Sequence, residues 1–204
     1  RRQQSAWHRL CAAHAVRCFG DRTWAFFLPL YLSTACPDSL RPSACVALVQ
    51  DLAVVVGSNA VASWYNRDPD KRRAFMRITA YENIAVVLGG ILICSFAAET
   101  HAAGHPADTC SAPYKNSAFL MGALLMGLDS VCSSMLSMVV SKQWVSALYV
   151  GNSARLASAN ALLARIDLGV AVLSPLLVSF ILEFIGGYFW VLVLLVVHHV
   201  VGAV

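Results

Sequence analysis

Gly20-Asp21-Arg22 stands inside a mostly apolar stretch that runs from Leu10 to Leu32. If that stretch is one membrane-crossing helix, its ionisable groups are costly there and must face a partner or a water-filled cavity. Asp21 is therefore the first residue from which to expect chemistry. The plainer reading makes it a structural clamp to Arg17 or Arg22. Other acids lie in later apolar runs: Asp51, Glu82, Asp129 and, at the start of one, Asp167; His198-His199 lies in the last. Carboxylates in a low-dielectric cavity bind both protons and divalent cations, so the two compete. For Asp51 and Asp129 the expectation is a place facing the helix-packed interior without a direct substrate role. His101-x-x-x-His105, with Asp108 and Cys110, has metal-binding spacing only on a helix, and Gly104 and Pro106 favour a solvated loop. No nucleophile elbow, phosphate loop or protease metal motif occurs, so an enzyme has no support in the sequence.

The elements that must position these groups follow from composition. The 204 residues are 58% hydrophobic and only 13% charged, where a soluble domain carries about 25%. Lipid must be the solvent over most of the surface. Spans of about 20 apolar residues are expected at 10–32, 44–64, 78–98, 118–140, 166–184 and 188–204, giving an all-α integral membrane protein with six transmembrane helices. Gly57, the Gly89-Gly90 pair, Gly122 and Gly127 suit close helix packing in lipid. Ser141 to Arg165 repeats Leu and Ala at near-helical spacing among Asn, Ser and Arg. It reads as an interfacial amphipathic helix or as an extension of the fifth span.

Charge orients the spans. Arg1, Arg2, Arg9, Arg67, Lys71, Arg72, Arg73, Arg77, Lys142, Arg155 and Arg165 all fall on one side of a six-span arrangement, and only Arg41 and Lys115 fall on the other. The positive-inside rule then puts both ends in the cytoplasm, and the net charge of +4 requires no nucleic-acid partner. The seven cysteines show no CxxC spacing. A disulfide among Cys36, Cys45 and Cys110 on the opposite side is open, with connectivity not deducible. The first residue is Arg and the last segment is still apolar, so the chain reads as part of something longer.

Two kinds of motif go further. The loop Arg67-Asp68-Pro69-Asp70-Lys71-Arg72-Arg73 resembles the charged gate-latch loop of the major facilitator superfamily, although that family's strict Gly-xxx-Asp-Arg spacing is absent; the alternative is an ordinary positive-inside loop. Gly20-Asp21-Arg22-Thr23-Trp24 is similar to the Gly-Asp-Arg-x-Trp of the first helix of ferroportins, the solute carrier family 40 iron exporters. Asn160-Ala161-Leu162-Leu163-Ala164-Arg165-Ile166-Asp167, followed by Leu173-Ser174-Pro175, resembles that family's Asn-Ala-x-x-Arg-Arg-Ile-Asp and later Ala-Pro. Glu82-Asn83 stands where the family has Gln-Asn, and Gln143-Trp144 where it has Asp-Trp.

The resemblance implies the amino-terminal half of a major-facilitator-type transporter. A second six-helix half would be needed for alternating access, with sites near the bilayer midplane. It also implies an exported divalent metal, iron or a relative of iron, as substrate rather than cofactor. Asp21 matches the family's first-helix metal ligand, and Glu82 replaces a Gln. His198 takes a Glu position, whereas Ala25 and Val191 lose two others. Asp21, Glu82 and His198 would form a ligand set that fits Fe(II), Mn(II) or Zn(II) about equally. Asn160, Arg165 and Asp167, with Arg67, Asp70, Lys71, Arg72 and Arg73, would form a cytoplasmic gate. The alternatives are a major facilitator for an organic solute and a non-transporting membrane bundle. Plasma, vacuolar and plastid-envelope membranes all stay open.

Overall fold

A computed structural model of the protein describes residues 2–104 and 107–202, with side chains over 4–104 and 107–201. His105 of the expected loop pair lies outside the described residues. The order is α1 (Arg2–Ala35), α2 (Arg41–Arg67), α3 (Lys71–Ala102), a short α4 (Ala107–Ser111), α5 (Ser117–Leu148), α6 (Ser153–Gly186) and α7 (Tyr188–Gly202). Among the described residues there is no strand. Four of the expected spans, the second to the fifth, fall on helices long and apolar enough to cross a membrane, and the sixth falls on a shorter apolar helix.

Not all of these helices are equally suited to crossing a bilayer. α2, α3, α5 and α6 are long and apolar enough, and α7 is a shorter apolar helix. α1 has the length, 34 residues, but carries Arg17, Asp21 and Arg22 in its middle. Leu48, Leu52, Val55 and Val56 of α2 are exposed, as are Leu168, Val172, Leu173 and Leu176 of α6. In water those faces would be uncovered apolar patches; in lipid they meet their natural solvent.

Helix ends extend beyond the hydropathy limits. α3 begins at Lys71 rather than Ile78 because Asp70 caps it, its Oδ1 accepting from Arg73 N at 2.9 Å. Lys71 closes the preceding helix by donating from Nζ to the carbonyls of Tyr65, Asn66 and Asp68, each at 2.8 Å. That placement satisfies orphan carbonyls and complements the negative end of the helix dipole. Ser141 to Arg165 is not one interfacial helix. Its first part continues α5 through a π-helical turn at Val139–Trp144 to Leu148. Its second part opens α6, capped by Asn152, whose Oδ1 accepts from Arg155 N at 3.0 Å. The expected extension of the fifth span thus holds only from Ser153 onward, and the part up to Leu148 extends the fourth span instead. α6 ends in a second π-helical turn, and Gly186 and Gly187 follow with φ of 84° and 97°. Only glycine takes that backbone without strain, which lets α7 start at once.

Contacts divide the chain into two compact units: Arg1–Phe27 with Ser137–Leu195, and Leu28–Leu136 with Val196–Val204. In the first, Trp24 stacks on Phe27 at 5.6 Å, and Phe27 is fully buried. In the second, α3 and α5 cross at glycines. A Cβ on Gly122 would stand 2.7 Å from Ile93 Cγ1 and 3.0 Å from the Gly89 carbonyl. α2 meets α5 in the same way, since a Cβ on Gly127 would come within 3.0 Å of Ala53 Cβ. Cys36 and Cys110 form a disulfide, and Cys45 stays a free thiol. Around the bridge Ser39 Oγ donates to the Cys110 carbonyl, and Arg41 Nη1 donates to the Ser111 carbonyl.

Candidate functional site

Asp21 sits on α1 one turn after Arg17. The two side chains meet at 3.8 Å, with Asp21 still 26% exposed. Arg17 also donates from Nη2 to Ser137 Oγ on α5 at 2.6 Å, so its guanidinium is shared between an acid and a hydroxyl. Asp21 is therefore touched by an arginine yet reachable by solvent, a position compatible with exchanging the arginine for another cation.

Arg22 points elsewhere. Its Nε donates to Asp167 Oδ1 at 3.2 Å and its Nη2 to Asp167 Oδ2 at 2.7 Å. This is a two-pronged fork, the stronger geometry for a guanidinium and a carboxylate. It joins α1 to α6 across 145 residues of chain. Both side chains are part-exposed, 47% and 35%, so the bridge can open into water at small cost. Thr23, the next residue, is fully buried, and its hydroxyl donates to the Phe19 carbonyl at 2.6 Å. That bond keeps the Asp21-Arg22 turn helical. Of the other gate expectations on α6, Asn160 and Arg165 are both exposed.

The second unit handles polar groups differently. Glu82 is 2% exposed on α3, and Asp129 on α5 is buried as well. Both carboxylates lie within electrostatic reach of the Cys132 thiol. Next to Glu82, Asn83 donates from Nδ2 to the Thr79 carbonyl at 2.8 Å, which orients its Oδ1 outward as an acceptor. His199 Nδ1 meets that oxygen at 2.8 Å. Because that oxygen can only accept, Nδ1 carries a proton in this bond. His198 is half-buried, with its ring edge-on to His199 at 5.3 Å.

In the α2–α3 connection, Asp68 Oδ1 accepts from Asp70 N at 2.9 Å and Asp68 Oδ2 pairs with Arg77 at 3.7 Å. Asp70 and Lys71 are thus occupied in building the turn, while Arg67, Arg72 and Arg73 are exposed. Among the described residues no three His, Cys, Asp or Glu side chains gather closely enough to hold a metal ion. Asp21 belongs to the first unit, and Glu82 and His198 belong to the second.

The Ferroportin1 family model matches residues 4–204. The chain belongs to the ferroportin family. It is a multi-pass membrane protein, and its described residues are helical apart from short connections. It is 23% identical over 190 residues to solute carrier family 40 member 1 of Danio rerio, covering 91% of this chain and 32% of that protein. It is 24% identical over 185 residues to ferroportin of Homo sapiens, with coverage of 88% and 31%. Solute carrier family 40 member 1 of Oryza sativa subsp. japonica is 25% identical over 181 residues, with coverage of 87% and 36%. The chain thus spans about a third of the length of these relatives. No solved structure matches it.

The two stretches that most resemble ferroportins, Gly20 to Trp24 and Asn160 to Asp167, are the two that the Arg22–Asp167 fork holds together. That pairing escaped the sequence reading, which weighed Arg22 only as a neighbour of Asp21. A signal existed in two opposite charges, each at the most motif-like point of its span. The Asn83–His199 bond was missed too, since adjacent histidines cannot be ranked until one helix face is known to be buried.

Proposed function

We propose that the complete protein, of which this chain supplies an amino-terminal six-helix half, exports divalent iron or a related divalent metal by alternating access. The observation that carries the reading is the Arg22–Asp167 fork beside a part-exposed Asp21. It is a charge pair weak enough in water to open and close, placed one residue from an acid able to coordinate a cation. Asp21 is the principal ligand in this reading, with Glu82 and His198 as further donors at other stages of passage. Protonation and metal compete for the same oxygens, which supplies a basis for exchange. Arg165 and Asp167, with Asn160 and the Arg67, Asp70, Lys71, Arg72 and Arg73 connection, form the inner gate, and both ends of the segment face the cytoplasm. The names ferroportin and solute carrier family 40 member 1, carried by the relatives, support the same substrate class and a transporter rather than an enzyme. A second six-helix half is required, because one half has nothing to rock against.

The test is flux of divalent metal through the complete protein in liposomes. Asp21→Ala is expected to reduce flux at least about tenfold, a loss of one charged ligand interaction, with abundance and insertion unchanged. Undiminished flux removes Asp21 as a ligand. Organic-solute transport that survives Asp21→Asn and is lost on changing aromatic residues would instead favour a major facilitator of another substrate class.

A further inference from the structure

Away from Asp21, the beginning of α1, the residues after α5 and the first turns of α6 enclose an open cavity of about 440 Å³ within the first unit. Its lining includes Gln4, Trp7, Tyr149, Arg155, Ser158 and Leu162. Its volume lies within the range of small-molecule sites, about 300–1,000 Å³. No residue of the lining is acidic, and among the described residues no carboxylate pairs with Arg155. Among the described residues, Arg155 is the charged group of this lining.

The neighbouring groups are of one kind. Arg155 lies in the first turn of α6, its backbone N tied to Asn152 Oδ1, so its guanidinium extends from the positive end of a long helix. Ser158, one turn on, adds a hydroxyl, and Gln4 and Tyr149 add an amide and a phenol. The guanidinium fork and these three groups supply several donors, a number that suits the oxygens of a phosphate better than the two of a carboxylate. Trp7 and Tyr149 meet edge to face at 5.7 Å and 73°. Such amphipathic aromatics characteristically lie at the headgroup level of membrane proteins. Leu162 completes an apolar edge for an acyl or ring portion.

We propose that this cavity is a phosphate-recognising site, with Arg155 as its charge anchor and Gln4, Tyr149 and Ser158 as neutral donors. Its ligand is a phosphate ester, supplied by an anionic phospholipid headgroup or by a soluble phosphorylated compound. The site is separate from the metal passage proposed above and does not depend on it.

The experiment uses the complete purified protein in two arms. In one, it is placed in phosphatidylcholine nanodiscs with and without phosphatidylinositol bisphosphate, and bound lipid is read by native mass spectrometry. In the other, inositol trisphosphate is titrated against detergent-solubilised protein by calorimetry. Arg155→Gln is expected to weaken binding about tenfold or more, as removal of a charged donor does. Arg155→Lys, which keeps the charge and loses the fork, is expected between the two. Ser158→Ala is expected to cost about threefold, one neutral hydrogen bond. Binding confined to the nanodisc arm assigns the site to a headgroup, and competition by the soluble probe assigns it to a free phosphate compound. The proposal is overturned if the parent binds neither probe, or if Arg155→Gln and Arg155→Lys, melting as the parent does, both bind with unchanged affinity.

Discussion

In the first unit Asp21 keeps a quarter of its side chain in reach of solvent and meets Arg17 at 3.8 Å, while Asp167 takes a forked bond from a half-exposed Arg22. In the second unit Glu82 and Asp129 are buried, and His199 is buried against Asn83 through a hydrogen bond. The sequence has both sets in apolar runs, yet their environments differ in what they allow. A part-exposed ion pair is worth under about 1 kcal/mol and can be exchanged for water or a cation. A buried hydrogen bond leaves an unsatisfied group behind when broken, at about 1–3 kcal/mol, so it holds its helices in one arrangement. The first unit has the chemistry of something that opens. The second has the chemistry of an anchor, and its glycine crossings and disulfide point the same way.

Substitutions that attack the anchor should therefore cost stability, and those that attack the ion pair should change transport with little loss of stability. The largest effect is expected for Gly122→Leu, which drives a side chain into Ile93 and the Gly89 carbonyl. Overpacking at backbone contact should cost about 3 kcal/mol or more, read as loss of monodisperse protein after detergent extraction. A well-behaved variant with the parent's melting temperature would mean that α3 and α5 do not cross there. Cys36→Ser removes a bridge across 74 residues of sequence and should cost about 2–4 kcal/mol. The same shift in melting is expected when the parent is treated with reductant, and no further shift should follow when the variant is. Asn83→Leu strands the His199 ring and should cost about 1–3 kcal/mol, where equal melting of variant and parent would show the bond to be dispensable. Smallest in stability is Asp167→Asn, under about 1 kcal/mol. Its effect should appear in metal flux, and the exchanged pair Arg22→Asp with Asp167→Arg should restore part of what either single change loses. A large drop in melting temperature for Asp167→Asn would place the fork with the anchors and erase the contrast.

Fluorescence or mass labelling of cysteines offers a finer check. Cys45 is partly accessible, while Cys94 and Cys132 are buried. A membrane-permeant thiol reagent should modify Cys45, and Cys11, which is also partly accessible, before the buried thiols in the folded protein. Faster modification of Cys132 than of the buried Cys18 would show that the interior around Glu82 and Asp129 opens more readily than the first unit.

How far the sequence alone reached depends on the kind of question. Apolar runs of spanning length were enough to locate α2, α3, α5 and α6, because burying backbone polar groups in lipid leaves a chain little choice but helix. Their ends were less legible. Lys71 and Ser153 open α3 and α6 well before the apolar runs begin, since capping by Asp70 and Asn152 is a local polar matter that hydropathy does not record. Asp21 was legible as an unusual acid at depth, and motif order alone pointed to the ferroportins. Which arginine each acid meets was not. Arg17 stands four residues before Asp21 and Arg22 one after it, and only the packing of α1 beside α6 sends Arg22 to Asp167 and leaves Asp21 to Arg17. Likewise, His198 and His199 differ by one position but by 100° around a helix, so the tertiary contact with α3 chose the second for the bond to Asn83. Composition and period determine what must be helical and what must meet lipid, because those are properties of one segment at a time. Ion-pair and hydrogen-bond partners are properties of two segments, and only the fold brings those together.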